Sequence, residues 1–353
     1  MRRDPRATAR ASVRALSPYE EQTSLPFDLS ANTNLFEPNP AIARALRCVD
    51  PRDLQGYPSL QSSDLSQAVA DAEGVDPACV VTGNGSNDLL DATIRAFADP
   101  GGKVAWHPPS FEMIPVFARA NAAEPLDVPL GPAPSFALDE TAFSESGARV
   151  AILCRPNNPT GHAFPRETVL RLLDALSGLV VLDEAYVEFL GDSLVKEAMA
   201  RENVLVVRTF SKAHGLAGLR IGYGIGHPSI VREIEKVRGP FKLNAFSELA
   251  AVESLRDPTY LRSVVARVRS ERAFLSERLA ALGFTVFPSQ TNFLLLRPPV
   301  PADRLDEGLA AQGFAVRRFR SGALAGFVRA TVPPRDVGER FLSAVERTLA
   351  DLA

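Results

Sequence analysis

The chain has 353 residues, of which 46% are apolar and 23% are charged, a composition typical of packed globular proteins. The formal charge of −3 excludes the strongly basic surface expected of a nucleic-acid-binding protein, and no apolar run approaches the ~18 residues of a membrane span. We therefore expect a cytoplasmic protein with two domains of unequal size, because one small core cannot accommodate a chain of this length.

The spacing of cysteines and histidines indicates neither disulfides nor a metal site. The cysteines, Cys48, Cys79 and Cys154, are an odd and scattered set, which predicts reduced thiols. The four histidines do not cluster either, so we expect no metal ligands among them.

Short apolar runs alternate with helical patterns through the middle of the chain, which is typical of parallel β/α units. The predicted strands are Val104–Trp106, Val150–Cys154, Leu179–Leu182 and Val204–Val207, and a helix is predicted over Pro165–Leu176. Each strand ends in a polar cluster, at 107–110, 155–161, 183–184 and 209–212. Because ligands bind beyond the carboxyl ends of parallel strands, the four clusters predict one shared site.

The last third of the chain has a different pattern. A long arginine-rich helix is predicted over Asp257–Leu282, followed by strands at Phe284–Phe287, Phe293–Leu296 and Phe327–Thr331 and by a terminal helix after Pro334. These elements predict a smaller α+β domain. We expect an N-terminal arm and part of the small domain in residues 1–45, a large cofactor-binding domain in 46–255, and the small C-terminal domain in 256–353.

Lys212 is the candidate for amine chemistry. The chain has only five lysines, and Lys212 follows a predicted strand and precedes the small-residue stretch 213–220, where a ligand can approach the backbone. A lysine amine forms an imine with an aldehyde cofactor and can then move protons at the substrate's α-carbon. A surface lysine is the ordinary alternative, and only the residues around Lys212 argue against it.

The neighbouring strand ends supply groups suited to a pyridine cofactor. Asp183 follows the strand Leu179–Leu182, and a carboxylate beneath a pyridine nitrogen keeps that nitrogen protonated. Tyr186 and Asn158 can donate hydrogen bonds to a phenolic oxygen on the ring. Taken alone, an aspartate after a strand is more often a turn residue or a helix N-cap.

Residues 81–88 read Val-Thr-Gly-Asn-Gly-Ser-Asn-Asp, a strand end running into a helix, and helix N-termini offer free N–H groups to anions. Ser211 would add a hydroxyl and Arg220 a guanidinium, whose fork matches phosphate oxygens. A glycine-rich turn by itself is weak evidence and is equally typical of an ordinary turn.

Three motifs carry a family resemblance. Arg-Pro-Asn-Asn-Pro-Thr-Gly (155–161), Val-Leu-Asp-Glu-Ala-Tyr-Val-Glu-Phe (181–189) and Arg-Thr-Phe-Ser-Lys-Ala-His-Gly-Leu-Ala-Gly-Leu-Arg-Ile-Gly-Tyr (208–223) closely resemble the histidinol-phosphate aminotransferase family. That family belongs to the class I/II aminotransferases of pyridoxal 5′-phosphate (PLP) fold type I. The resemblance extends from residues 13–19 to 327–331. It implies an α/β fold with a large, mostly parallel sheet domain flanked by helices, and a smaller α+β domain built from the two chain ends.

The resemblance also implies roles for single residues in cofactor binding. Lys212 would carry PLP as a Schiff base, with Asp183 at the pyridine nitrogen. Tyr186 and Asn158 would hold the phenolic oxygen, and Phe111 would stack on the ring. The implied phosphate contacts are Gly85, Ser86, Asn87, Ser211 and Arg220.

For the substrate, the resemblance implies that Arg329 grips the anionic end. Tyr19 and Arg317 match further contacts to a substrate phosphate, and Asn34 matches a residue of the pocket wall. Tyr57 would reach the cofactor phosphate of the other subunit, which implies a homodimer with active sites at the interface.

Three departures from the family pattern bear on the substrate. Asn34-Leu35 stands where the family usually has Asn-Glu, and the loss of the carboxylate either weakens recognition of a cationic or imidazole-like group or is drift at a tolerant position. Asn87 replaces an Asp of the phosphate turn, and Arg155 replaces the first Asn of its motif. For Asn87 and Arg155 we favour neutral drift.

The resemblance implies an aminotransferase of amino-acid biosynthesis that moves an amino group between an amine, such as histidinol phosphate, and a 2-oxo acid, such as 2-oxoglutarate. Alternatives with the same motifs are a threonine-phosphate decarboxylase, an aromatic amino acid aminotransferase and an amino acid oxidase. A regulator without turnover is less compatible, because such proteins usually add a DNA-binding module.

Overall fold

The computed structural model describes residues 8–18 and 25–352. Its strands are β1 (Phe27–Asp28), β2 (Val80–Gly83), β3 (Lys103–Trp106), β4 (Glu124–Asp127), β5 (Val150–Cys154), β6 (Leu179–Asp183), β7 (Val204–Thr209), β8 (Gly222–Gly226), β9 (Thr285–Val286), β10 (Phe293–Arg297), β11 (Phe314–Ala315), β12 (Arg317–Arg318) and β13 (Val328–Thr331).

The helices in the same described residues are α1 (Ala11–Arg14), α2 (Pro40–Cys48), α3 (Ser63–Glu73), α4 (Ser86–Phe97), α5 (Met113–Ala120), α6 (Glu140–Ser144), α7 (Arg166–Ala175), α8 (Val187–Leu190), α9 (Val195–Met199), α10 (Pro228–Lys236), α11 (Ala245–Arg256), α12 (Thr259–Ala281), α13 (Ala302–Ala311) and α14 (Arg335–Leu352). None of them is both long enough and apolar enough to cross a membrane.

A seven-stranded sheet with the order β2-β8-β7-β6-β5-β3-β4 forms the centre of the molecule. Every neighbouring pair in it is parallel except those of β8, which runs antiparallel to both β2 and β7. The strands β5, β6 and β7 are buried along their whole length. A strand buried on both faces must be apolar on both faces, which is why these segments read as continuous apolar runs. The predicted large, mostly parallel sheet is confirmed.

Helices cover both faces of this sheet, so its strands contribute side chains to two cores. In β5, Ala151 and Leu153 belong to the core on one face, whereas Val150 and Ile152 belong to the core on the other. This alternation is the two-residue period of a strand.

A second, four-stranded antiparallel sheet has the order β12-β13-β10-β9, and β1 pairs in parallel with β11. Its core combines Leu29 near the N-terminus with residues of α12, α13 and α14. The expected domain boundary at 45/46 falls inside the continuous helix α2, which packs against α11. The boundary at 255/256 falls at the last residues of α11.

Gly222 in β8 lets the N-terminus of α4 lie against the end of the sheet. A Cβ atom at Gly222 would lie 2.4 Å from the backbone nitrogen of Ser86. Only a residue without a side chain tolerates so close an approach of backbone. The position of α4 therefore depends on Gly222.

We expect Gly222→Ala to lower the free energy of unfolding by about 1–3 kcal/mol, because the added methyl overpacks the contact between β8 and α4. Urea denaturation measures this loss. Gly218→Ala is the matched control, since a Cβ there meets no atom within 4 Å. Equal losses in both variants would contradict the proposed contact.

Candidate active site

The parallel sheet brings the predicted polar clusters to one edge. Cys154, the last residue of β5, lies opposite Asp183, the last residue of β6. Asp183 in turn lies opposite Val207 of β7, and Lys212 follows that strand by a few residues. The side chains of Cys154, Asp183 and Lys212, from these three strand ends, interact electrostatically.

The Lys212 amine lies within a ring of protein groups. Its Nζ is 3.2 Å from the carbonyl oxygen of Ala31 and 5.8 Å from the centre of the Tyr186 ring. Burial, together with the positive charges of Arg329 and Arg220, lowers the pKa of Lys212 to about 7, although the Asp183 carboxylate opposes this. A large fraction of the amine is thus neutral near pH 7, the form that attacks an aldehyde.

Asp183 is a buried carboxylate whose own surroundings only partly stabilise its charge. Burial raises its pKa to about 6, against the hydrogen bond that it accepts from the backbone N–H of Ala185 at 3.0 Å. The Cys154 thiol approaches its other oxygen at 3.9 Å. Such a carboxylate favours a cationic partner, which a protonated pyridine nitrogen provides.

Tyr186 is buried, and burial raises the pKa of its hydroxyl to about 12, so the hydroxyl stays neutral and can donate a hydrogen bond. It accepts a hydrogen bond from Nδ2 of Asn32 at 3.0 Å. Sequence reasoning missed Asn32, since nothing in the local pattern ties residue 32 to residue 186. Asn158, on the neighbouring loop, accepts a hydrogen bond from Arg329 Nη1 at 2.5 Å.

The predicted phosphate contacts form a cradle at the N-terminus of α4, consisting of Gly85, Ser86, Asn87, Ser211 and Arg220. Gly85 has a φ of +84°, and a Cβ there would lie 2.5 Å from Arg220 Nη2. Arg220 Nη1 also donates to Ser211 Oγ at 3.2 Å. Unpaired helix N–H groups beside a guanidinium and a hydroxyl suit a phosphate group.

Arg238 supports this cradle from below and was missed by sequence reasoning. Its side chain is buried and donates to the carbonyl oxygen of Thr82 at 2.5 Å and to Asp88 Oδ2 at 2.6 Å. Asp88 Oδ2 also accepts from the backbone N–H of Asn84 at 3.0 Å. The glycine-rich turn is therefore held at both its strand end and its helix end.

The two predicted substrate arginines are cross-strand neighbours. Arg317 in β12 lies directly opposite Arg329 in β13. Arg329 Nη2 donates to the carbonyl oxygen of Ser30 at 2.5 Å, and Arg317 Nη2 donates to Glu112 Oε2 at 3.0 Å. Phe111, the predicted stacking residue, immediately precedes Glu112 and packs against the core that contains Trp106.

The remaining predicted site residues are dispersed. Tyr57 lies on the surface, 83% exposed, and stacks on Phe241 with the ring centres 4.6 Å apart. Asn34 donates to the carbonyl oxygen of Ala213 and to the Tyr260 hydroxyl, each at 3.1 Å. Leu35 packs against the core of the small domain, which gives it a packing role. Tyr19 lies outside the described residues.

Arg155 corrects the interpretation of neutral drift. Its side chain is 4% exposed and forms an ion pair with Asp192 at 2.6 Å, and its Nε donates to the carbonyl oxygen of Phe164 at 2.9 Å. Asp192 also pairs with Arg166. Removing one partner of such a pair leaves a buried charge without compensation, so the arginine is a specific structural element of the loop that carries Asn158.

Among residues 8–18 and 25–352, no group of three or more His, Cys, Asp or Glu side chains is arranged to hold a metal ion.

A lysine beside a buried carboxylate at the edge of a seven-stranded sheet defines the class of protein. The chain belongs to the family described as aminotransferase class I and II, whose model matches residues 26–345. It is 33% identical to histidinol-phosphate aminotransferase 1 of Trichormus variabilis, over 92% of this chain and 93% of that protein. The predicted family and enzyme class are confirmed.

Solved structures show the same fold. The crystal structure of histidinol-phosphate aminotransferase from Sinorhizobium meliloti in complex with pyridoxal-5′-phosphate has a TM-score of 0.89 and 25% identity, covering 98% of this chain and 99% of that chain. L-threonine-O-3-phosphate decarboxylase from Porphyromonas gingivalis has a TM-score of 0.79 at 25% identity, covering 92% and 99%. The predicted fold class is confirmed.

The lowered pKa of Lys212 makes the stability of the cofactor-free protein pH-dependent. Because this pKa is about 7 in the folded protein and 10.5 in the unfolded chain, the unfolded chain binds more protons between these values, and stability rises with pH across that interval. We expect cofactor-free Lys212→Met to have a higher Tm than the cofactor-free wild type at pH 7, with the difference shrinking toward pH 10.

Thermal unfolding monitored by circular dichroism between pH 7 and pH 10 measures this difference. Lys196→Met, at an exposed lysine, controls for the loss of one positive charge. A difference for Lys212→Met that grows as the pH rises would show that Lys212 is not held as a partly neutral amine.

Proposed function

We propose that this aminotransferase moves the amino group of histidinol phosphate, or of a closely related phosphorylated amine, to a 2-oxo acid such as 2-oxoglutarate, in the cytoplasm. The observation that carries the proposal is the position of the Lys212 amine among Asp183, Tyr186 and two arginines that bind anions. One arginine, Arg220, belongs to the phosphate cradle, and the other, Arg329, lies on the small-domain side.

The predicted cofactor, pyridoxal 5′-phosphate, is confirmed by the family match and by the neighbour solved with it. The cradle supports this assignment independently, since Arg220 occupies the space that a Cβ on Gly85 would fill. When bound, PLP supplies an electron sink for the bond that breaks at the substrate's α-carbon. We propose that Lys212 is its covalent attachment point and that Asp183 keeps its pyridine nitrogen protonated.

The other assigned side chains act by orientation and by proton transfer. The Lys212 amine, neutral in a large fraction near pH 7, would serve as the base that takes the proton from the substrate's α-carbon. The neutral Tyr186 hydroxyl and Asn158 would hold the phenolic oxygen of the bound cofactor by donating hydrogen bonds. Phe111 would cover one face of its ring. Side chains that hold the reacting groups in a fixed orientation lower the entropic part of the activation barrier.

Arg329 is proposed to bind the anionic end of both substrates. Its guanidinium is held by the carbonyl oxygen of Ser30 and by Asn158, so it is oriented before a substrate arrives. Arg317 lies directly opposite and adds a second positive charge, which favours a phosphate over a carboxylate. Tyr19 and Asn34 remain proposed as further substrate contacts.

The same fold serves decarboxylation in the Porphyromonas protein, so the reaction type has to be tested with substrates. We expect the purified PLP form to convert histidinol phosphate and to release its cofactor as pyridoxamine phosphate, seen by the change in absorbance. Aromatic amino acids and threonine phosphate are the comparison donors. Carbon dioxide from threonine phosphate would favour the decarboxylase, and binding without conversion would favour a regulator.

Covalent attachment is tested separately. Borohydride reduction followed by peptide mapping is expected to place the pyridoxyl group on Lys212, and Lys212→Ala is expected to lose at least ~10³-fold in turnover, the scale of a lost proton-transfer group. Lys242→Ala controls for general loss of an amine. Attachment to any other lysine would exclude the proposed chemistry.

We also propose a homodimer. The exposed rings of Tyr57 and Phe241 stack on each other with their centres 4.6 Å apart, and Leu46, Leu54 and Leu60 are also more than half exposed. Large apolar side chains exposed to solvent are typical of interaction sites. Phe241 follows Arg238, which holds the glycine-rich turn, by three residues, and we place the dimer contact at this aromatic pair.

In this dimer, Tyr57 of the partner subunit would donate a hydrogen bond to the cofactor phosphate. We expect Tyr57→Phe to weaken PLP binding about tenfold, the usual effect of losing one hydrogen bond to a charged group. Mixing Tyr57→Phe chains with Lys212→Ala chains would rebuild one complete site per mixed dimer and restore tight PLP binding to it. A monomer in sedimentation, or unchanged PLP affinity, would contradict the dimer proposal.

A further inference from the structure

Arg317 and Arg329 form a like-charged pair that the protein itself balances. Residues directly opposite each other in an antiparallel pair share one face of the sheet, and like charges there are destabilising. Arg329 is oriented by two neutral acceptors, Asn158 Oδ1 and the carbonyl oxygen of Ser30. Arg317 instead donates to a carboxylate, that of Glu112, at 3.0 Å.

Glu112 is placed at the rim of the site and can leave its partner. It immediately follows the ring-stacking candidate Phe111 and precedes the first residue of α5. Its side chain is 63% exposed, whereas that of Arg317 is 27% exposed. Exposed ion pairs contribute little to stability, so a ligand anion can displace the glutamate at small cost.

The balance of charge at this rim bears on the substrate. Glu112 places a full negative charge directly on Arg317, where the anionic group of the substrate is proposed to bind. A phosphate monoester carries a charge of about −1.5 to −2 at pH 7. A phosphate therefore repels Glu112 more strongly than a substrate carboxylate does. Its binding affinity also increases more when Glu112 is absent.

We propose that Glu112 is a specificity-determining residue that occupies Arg317 in the substrate-free enzyme, competes with the substrate's anionic group, and discriminates most strongly against doubly charged phosphates. This inference rests on the proposed function in one respect, that Arg317 and Arg329 face the substrate's anionic end. It adds a residue of the chain that opposes the binding of the phosphorylated substrate.

The test compares Glu112→Gln with the wild-type holoenzyme in steady-state kinetics. At low ionic strength we expect the KM for histidinol phosphate to fall about fivefold, the scale of one exposed charge pair, with the change on KM and not on kcat. For phenylalanine, whose carboxylate carries one charge, the fall should be less than twofold. Added salt should diminish both effects, because it screens exposed charges.

Two further variants make the result specific. Glu124→Gln removes the same charge at the start of β4, at the opposite end of the sheet from the site, and should leave both KM values unchanged. Glu112→Asp keeps the charge on a shorter side chain, and its KM for histidinol phosphate should lie between those of the wild type and Glu112→Gln. An unchanged or higher KM for the phosphorylated donor in Glu112→Gln would overturn the proposal.

The role of Glu112 can be tested even if histidinol phosphate is not the substrate. If the wild type does not convert histidinol phosphate, the substrate assignment fails, but inorganic phosphate still probes the arginine pair as a competitor of whichever donor is converted. Its inhibition constant should fall about fivefold in Glu112→Gln and stay constant in Glu124→Gln. Equal inhibition constants in all three proteins would overturn the role of Glu112 by itself.

Discussion

The electrostatic coupling of Lys212 to Asp183, Arg220 and Arg329 is the interaction on which the rest of the site depends. All of these groups influence the pKa of the amine, and the parallel alignment of β6 and β7 brings Asp183 close to Lys212. Burial penalises the charged forms of both the lysine and the aspartate. The site is thus arranged for a cofactor that removes the lysine's charge and gives the aspartate a cationic partner.

Maintaining this arrangement requires support beneath the strand ends. Glu184, next to Asp183, is buried and pairs with Arg208 of β7 at 2.9 Å, and it accepts a hydrogen bond from the backbone N–H of Leu194. Arg155, which follows β5, forms an ion pair with Asp192, two residues before Leu194. The segment around residue 192 therefore connects all three strand ends. Because the members of this buried network satisfy one another, the loops above can be held without a disulfide or metal.

Much of this organisation follows from local sequence pattern, and what does not follow has a common physical cause. The strands from β5 to β7 are predictable because a strand buried on both faces must be apolar throughout. The antiparallel strand β8 was not predicted, since its sequence, Gly-Tyr-Gly-Ile-Gly, lacks an apolar run. Its glycines serve close packing against neighbouring backbone, which only the folded structure shows.

The same distinction separates the site residues. Lys212 and Asp183 are recognisable because their motifs lie in one stretch of chain, each at a strand end. Asn32 lies 154 residues from its partner Tyr186, and Arg238 lies 150 residues from its partner Asp88. Arg155 was interpreted as drift because its partner, Asp192, lies 37 residues further along the chain. Contacts between distant segments leave no local periodicity, so a sequence pattern cannot reveal them.

The positions of the two anion-binding arginines relative to Lys212 also link binding to chemistry. The positive charges of both arginines lower the pKa of the amine. In the proposed roles, a phosphate in the cradle would offset the charge of Arg220, and a substrate anion would offset that of Arg329. Each binding event would then make Lys212 a stronger base, and its capacity to take a proton from the α-carbon would be greatest with both anions in place. A substrate without the anionic end would lose binding energy and base strength together, so the proposed role of Arg329 links the choice of substrate to the rate of reaction.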